Sequence, residues 1–380
     1  MLYNIIGWYG TETMGDIAIL DGIIDVIKTL DKESKFTVGS LYPFYTERTL
    51  YMNFPQKGIT LYNEKSRTER LEVLKKSDVV LIGGGPLMDI GETTILLDIF
   101  KEAKKRGIPR LVFGCGIGPI SEYAQCVKEI IETASAVSFR DNFAKLVCDK
   151  NSIPTDGCYY IGDPAVVSVE NFMQKKRTVT QNGDIAFNLR KFPLSEYGDE
   201  WGLTQEQVRN LIEELAKKYD VCLIPMHTFC IGNDDRDFFS ELMYNRKSNV
   251  SIQYSPKSLY ELYDAYRSAF ACIGMRYHAV LMQSILNGNN IILDYTDSKY
   301  GKIQGFLDKI DKGHFYKERC INIRKPVSDE KLYETITILE RRECFNYKIT
   351  GITYDTKNSC QSMMSSMKKQ YVNFVKNALV

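Results

Sequence analysis

What this sequence lacks narrows the field first. It has no surplus of charge of either sign, because 49 Lys plus Arg stand against 48 Asp plus Glu for a formal net charge of +1. So weak an overall field attracts neither nucleic acid nor a membrane surface, and an anionic ligand must be held by a local cluster of cations. No apolar run approaches the length of a membrane span, and the opening MLYNIIGWYG has neither a basic leader nor a cleavage-like site. A cytoplasmic protein is expected. Ten cysteines occur without one CxxC, which removes the common zinc spacing and any disulfide framework. Cys115, Cys222 and Cys272 lie inside apolar strand-like runs and read as small, reduced core residues. Two nucleotide signatures are also missing. The glycine-rich turn GWYGTETMGD has neither the GxGxxG spacing of a dinucleotide site nor the closing Lys-Ser/Thr of a P-loop.

What is present is enough chain for two domains: 380 residues, 44% hydrophobic and 26% charged. Residues 2 to 7 form an apolar strand running into the first turn. There Gly7, Gly10 and Gly15 permit a tight loop and Asp16 is placed to cap the following helix. That turn either lines a ligand or merely closes a β-α unit. Further strands are expected at 36 to 39, 78 to 82, 110 to 113 and 136 to 139, with helices at 98 to 106, 122 to 133 and 142 to 150, and with 42 to 70 irregular. Strand after helix after strand argues for a parallel sheet covered on both faces. Two of these strands end in glycine, at GGGPLMD (Gly83, Gly84, Gly85) and at GCGIGPI (Gly116), as a ligand-lining crevice requires. A third ends in Arg140-Asp141.

Gly162-Asp163-Pro164 and the polar run 175 to 183 read as a linker, after which a second β-α series begins at Ile185 and ends its first strand in Arg190. The strand 221 to 225 leads into His227, with Asp234 and Asp235 beyond it, which read as a helix start rather than a metal pair. The domains are expected at 1–165 and 180–325, with a helical tail over 326–380 whose two helices cover 328 to 343 and 355 to 378. The most informative stretch is 271 to 302. A buried strand stops at Gly274, a helix over 275 to 287 carries Arg276 and His278 in its first turn, a strand covers 290 to 295, and a loop brings Lys299 and Lys302. Free N–H groups and the positive end of the helix dipole attract an anion there. Open α/β sheets bind their ligands at the carboxyl ends of strands.

Taken together, GWYGTETMGDIAIL, LIGGGPLMD, GCGIGPI, SFRD, GDPAV, PMHTF, GMRYHAVLMQSILNGNNIILDY and KIQGFL, in this order over residues 5 to about 307, resemble the polysaccharide pyruvyl transferase family. Thr13 departs from the pattern, since the family usually has Asn at that place. The resemblance implies an α/β, GT-B-like fold of two Rossmann-like domains facing across a cleft, with a C-terminal helical tail. It implies transfer of the pyruvyl unit of phosphoenolpyruvate to a nucleotide-linked or lipid-linked saccharide as a ketal, in cell-surface polysaccharide biosynthesis. His278 and Arg276 are the implied catalytic residues. Arg140, Lys302, Lys299, Gly274, Gly10, Asp16, Gly84, Gly85, Gly116 and His227 are the implied substrate contacts, with the N-terminal domain on the acceptor side. No metal and no cofactor is expected, and no nucleic-acid partner. A lipid-linked acceptor leaves room for peripheral membrane association, and an oligomer is also open. Two alternatives stay beside this one, a GT-B-type glycosyltransferase using a nucleotide sugar, with Asp294 or Asp297 as a ribose contact, and a catalytically silent saccharide-binding protein.

Overall fold

The structure, a computed structural model, describes residues 1–55, 58–175, 179–192, 201–245, 249–255, 257–297, 301–345 and 359–379. It divides into two compact units, Met1–Glu170 with Ser362–Val380, and Asn171–Gln361.

In unit 1 the strands are β1 (Leu2–Ile6), β2 (Lys35–Ser40), β3 (Ile59–Asn63), β4 (Val79–Ile82), β5 (Pro86–Leu87), β6 (Arg110–Ile117), β7 (Ala136–Phe139) and β8 (Tyr159–Tyr160). Its helices are α1 (Met14–Leu30), α2 (Pro43–Asn53), α3 (Arg67–Leu74), α4 (Thr93–Lys105), α5 (Ala124–Thr133), α6 (Phe143–Lys150) and α7 (Ala165–Gln174), whose last residues enter unit 2. The strands are parallel in the order β3-β2-β1-β4-β6-β7-β8, with β5 pairing β6 alone. A strand covered on both faces needs an unbroken apolar run, and VVLI of β4 is buried at every position. Phe100 of α4, Val127 and Ile130 of α5, and Ile82, Val112 and Phe139 of the sheet share one core.

Residues 42 to 70 are not irregular: they form α2, β3 and α3. Their polarity concealed them. The helix α2 buries Thr46, Thr49 and Leu50, so two of its three inward positions are threonines, and β3 lies at the sheet's edge with one fully buried residue. Nor does Gly162-Asp163-Pro164 behave as a linker. Asp163 is buried, Pro164 packs where Gly22 and Gly114 lack a side chain, and Gly162 accepts a hydrogen bond from Tyr371 at 2.5 Å. Asp16 does not cap α1 either. The N-cap is Thr13, and Asp16 sits in the first turn with its own N–H on the Thr13 carbonyl.

Unit 2 has β9 (Ile185–Asn188), β10 (Val221–Leu223), β11 (Val250–Ile252), β12 (Ala271–Gly274), β13 (Asn290–Asp294) and β14 (Cys320–Asn322), all parallel in the order β11-β10-β9-β12-β13-β14. Its helices are α8 (Gln205–Ala216), α9 (Asp235–Leu242), α10 (Leu259–Ser268), α11 (Tyr277–Leu286), α12 (Lys302–Ile310) and α13 (Asp329–Glu340). Reciprocal capping boxes, Thr204 with Gln207 and Ser258 with Glu261, satisfy the first N–H groups of α8 and α10. The 326–380 stretch is shared out: α13 belongs with unit 2, and most of α14 (Ser359–Ala378) belongs with unit 1. There Tyr371 stacks on Phe113 of β6 with ring centroids 4.2 Å apart, and Phe374 and Val375 are buried. The Tyr371 hydroxyl occupies the space beside Gly114, where φ is +63° and the β6–β7 register shifts.

Candidate functional site

In unit 2 the strand order reverses direction between β9 and β12, the place where open parallel sheets leave a crevice at their carboxyl ends. Asn188, the last residue of β9, builds the start of α11. Its carboxamide oxygen accepts the Arg276 N–H at 3.1 Å, its carbonyl accepts the Met275 N–H at 3.1 Å, and its amide donates to the Ile224 carbonyl at 2.8 Å. Gly274 closes β12 where a Cβ would collide with the Gln283 side chain, so this glycine lets α11 lie close on its own strand.

Arg276 is the N-cap of α11 and His278 lies in the first turn. The guanidinium is not a loose cation. It lies side-on against Asp235, with Nε 3.0 and 2.8 Å from the two carboxylate oxygens and Nη2 2.5 Å from Oδ1. Asp235 is fully buried, and its Oδ2 also accepts the N–H groups of Met226 and His227 at 3.0 and 3.1 Å. One carboxylate thus fastens together the turn after β10, the start of α9 and the start of α11. Asp234 is the N-cap of α9 and pairs with Arg236. His278 is half-buried, its ring edge-on to Tyr277 at 4.8 Å. His227 is buried, with Nε2 2.7 Å from the Ile231 carbonyl. Burial first, and then the Arg276 charge, hold its imidazole below the ordinary range, so the ring is neutral with the proton on Nε2.

A second cluster stands at the ends of β9 and β13. Lys302 is not in a loop but is the first residue of α12. Lys299 lies outside the described residues. Tyr295, one residue past β13, is 1% exposed, with the Arg190 guanidinium carbon 5.0 Å and Lys302 Nζ 5.4 Å from its ring centroid. Burial pushes the phenol up, but the Lys302 and Arg190 charges and their hydrogen bonds to the hydroxyl bring it down to about 8. The sequence singled out Lys302 and passed over Tyr295, which looks like an ordinary strand aromatic. Asp294 is taken: its fully buried carboxylate accepts from the Thr296 N–H at 2.9 Å, the Thr296 hydroxyl at 2.6 Å and Gln304 at 2.6 Å. Burial raises its pKa.

The matching edge of unit 1 is made of glycine. A Cβ on Gly7 would strike the Gly83 backbone and one on Gly85, at φ +72°, the Trp8 indole, while one on Gly84, at φ +114°, would press on the Tyr9 hydroxyl. The Tyr9 hydroxyl donates to the Gly83 carbonyl, so the turns after β1 and β4 lock together. Gly10, at φ +107°, sits against Ser40 and Tyr42. Gly116 makes room for the Arg140 guanidinium, which is buried with Nε 3.3 Å from Asp141 and Nη1 3.9 Å from Asp163. Among the described residues no group of three or more His, Cys, Asp or Glu side chains is placed to hold a metal ion, and no helix is long and apolar enough to cross a membrane.

A family model described as polysaccharide pyruvyl transferase matches residues 14–298. No functionally curated protein matches at a significant level. Among solved structures, UDP-N-acetylglucosamine 2-epimerase from Rickettsia bellii is similar at 14% identity and a TM-score of 0.61, over 100% of this chain and 97% of that one. The Methanocaldococcus jannaschii UDP-GlcNAc 2-epimerase, in complex with UDP-GlcNAc and UDP, is similar at 14% identity and a TM-score of 0.58, over 99% and 100%. A glycosyltransferase from Rickettsia africae gives 12% identity and a TM-score of 0.58, over 100% and 98%. At these identities the likeness establishes the fold alone, two parallel-sheet α/β units of the GT-B-like kind.

Proposed function

The chain belongs to the polysaccharide pyruvyl transferase family, and we propose that it moves the pyruvyl unit of phosphoenolpyruvate onto a saccharide as a ketal. The observation that supports this is the gathering of Arg276, Arg190 and Lys302 at the carboxyl edge of one sheet, beside a helix start that carries His278. Phosphoenolpyruvate brings a phosphate and a carboxylate, and two such groups call for several cations, at least one with a guanidinium fork. In this reading the Nη1 end of Arg276 and the first turn of α11 take one anionic group, and Lys302 with Arg190 takes the other. Gly274 contributes by letting α11 approach, and neutral His227 by packing beside the Asp235 amide bonds.

Ketal formation protonates the enol carbon C3, adds one sugar hydroxyl at C2 with loss of its proton, expels the phosphate and adds the second hydroxyl, which also loses its proton. His278 supplies and collects these protons, imidazole being the side chain most often used for general acid and base work. The cations stabilise the leaving phosphate. The edge of unit 1, with Gly10, Asp16, Gly84, Gly85, Gly116 and Arg140, is assigned to the saccharide, whose carrier is a nucleotide or a lipid. A nucleotide-sugar donor is less well supported, because Asp294, one of the two acidic residues offered for a ribose contact beside Asp297, has its carboxylate satisfied by Thr296 and Gln304. The test is incubation with phosphoenolpyruvate and a panel of saccharides, following phosphate release and the mass gain of a pyruvyl ketal. Nucleotide released from sugar donors, with no phosphate from phosphoenolpyruvate, would overturn the proposal.

A further inference from the structure

We infer that Tyr295 is a positioning residue whose hydroxyl oxygen gathers Arg190 and Lys302, from separate elements, into one platform for a single anion. Only the identity of that anion rests on the pyruvyl-transfer reading. Two cations brought together repel, and something of opposite polarity must stand between them. A phenol oxygen can accept from both at once. Tyr295 is 1% exposed, so its oxygen is fixed where the turn after β13 places it, and both cations lie toward its ring, at 5.0 and 5.4 Å from the centroid. A core tyrosine usually fills space and finds one neutral partner for its hydroxyl, whereas this one meets two full charges.

Two other buried phenols of unit 2 behave differently. Burial raises Tyr266 and Tyr316 well above the ordinary range, while Tyr295 goes the other way. The charged groups acting on it are Lys302 from α12 and Arg190 from the turn after β9. Its neighbour Asp294 is bound to Thr296 and Gln304 and feels Lys302 as well. On α11 the titratable groups are Tyr277, whose ring meets Phe306 of α12, and His278. The consequence is a pH limit. Once the phenol ionises, the phenolate cancels one of the two positive charges and the platform loses its hold on an anion.

The test is a titration of tyrosinate absorbance from pH 6 to 10 on the whole chain and on Tyr295→Phe, with calorimetric binding of sulfate, whose charge is constant over that range. The unaltered protein is expected to show one phenol ionising near pH 8 and a sulfate affinity that falls about tenfold from pH 7 to pH 9. Tyr295→Phe should lack both the early ionisation and the fall. Identical curves for the two proteins would overturn the assignment. Should Tyr295→Phe fail to fold, Lys302→Met serves in its place: it must move the early ionisation upward, and an unmoved midpoint overturns the assignment equally. Intact titration and sulfate binding without phosphate release from phosphoenolpyruvate would strike the proposed reaction and leave the role of Tyr295 standing.

Discussion

The carboxyl edges of the two sheets are built on one plan and filled in opposite ways. In both units the chain lays down its strands outward from a central pair, β1 and β4 in unit 1, β9 and β12 in unit 2, so corresponding turns come to corresponding places. After β1 and β4 those turns are glycines that close on each other through Tyr9 and Trp8. After β9 and β12 they are Arg190 and Arg276, with Lys302 joining from α12. The same winding therefore makes a neutral, backbone-lined edge once and a cationic edge once. Topology chooses the location of a site, and the two or three residues after each strand choose its chemistry.

Arg140 and Arg276 should respond to substitution in opposite ways. Arg140 of unit 1 has a side chain only 4% exposed and stands between Asp141 and Asp163. Arg140→Met strands two carboxylates and should cost about 3–5 kcal/mol, read as a lower melting temperature. Arg276→Met should cost less stability, since its side chain is 15% exposed and Asp235 keeps two backbone N–H partners, but should weaken phosphoenolpyruvate binding measured by calorimetry. The opposite pattern would place the anion on unit 1.

A second contrast concerns charge kept and charge suppressed. Glu64, just past β3 in unit 1, is fully enclosed, and burial raises its carboxyl to about 8 against a partial pull from Arg70. The folded form then holds a proton that the unfolded chain has released above its ordinary value near 4.5. Stability from this group is therefore complete in acid, declines as pH rises from about 4.5 to about 8, and is level beyond. Glu64→Gln should flatten that decline and raise stability at pH 9 by an amount on the order of a few kcal/mol. Denaturant melts at pH 5, 7 and 9 measure it, and parallel slopes in both proteins would mean that Glu64 is ionised in the fold.

Within unit 2, holding the donor and moving protons fall to different side chains. His278→Gln should keep phosphoenolpyruvate bound and lower kcat by roughly a hundredfold, the usual loss of a general acid or base. A lower melting temperature with unchanged kcat would make His278 a packing residue of α11.

Elements buried on both faces could be read directly, because Val79–Ile82 is apolar along its whole length and Asn290–Asp294 carries Ile291, Ile292 and Leu293 in an unbroken run. The edge region around β3 could not, since Thr46 and Thr49 face inward without looking hydrophobic. Arg190 and Arg276 were visible as the residues that follow strands, and Lys302 as a cation beyond the last strand of its stretch, but only Arg276 and Lys302 were assigned to the site. The partners of the arginines were not visible. Asp235 meets Arg276 across 41 positions and Asp163 meets Arg140 across 23, and no local spacing encodes such pairs. Tyr295 was hidden for another reason, because its neighbours rather than its type make it acidic.

The return of α14 to unit 1 sets an order of manufacture. As the chain is synthesised, unit 2 has all its strands once Asn322 has emerged, whereas the β6 bulge of unit 1 waits for Tyr371, Phe374 and Val375 to cover it. Domains generally fold as units while the ribosome delivers them. Here the part begun first is finished last, and a nascent chain arrested before residue 362 would carry a protease-resistant second unit and a first one still open at Phe113.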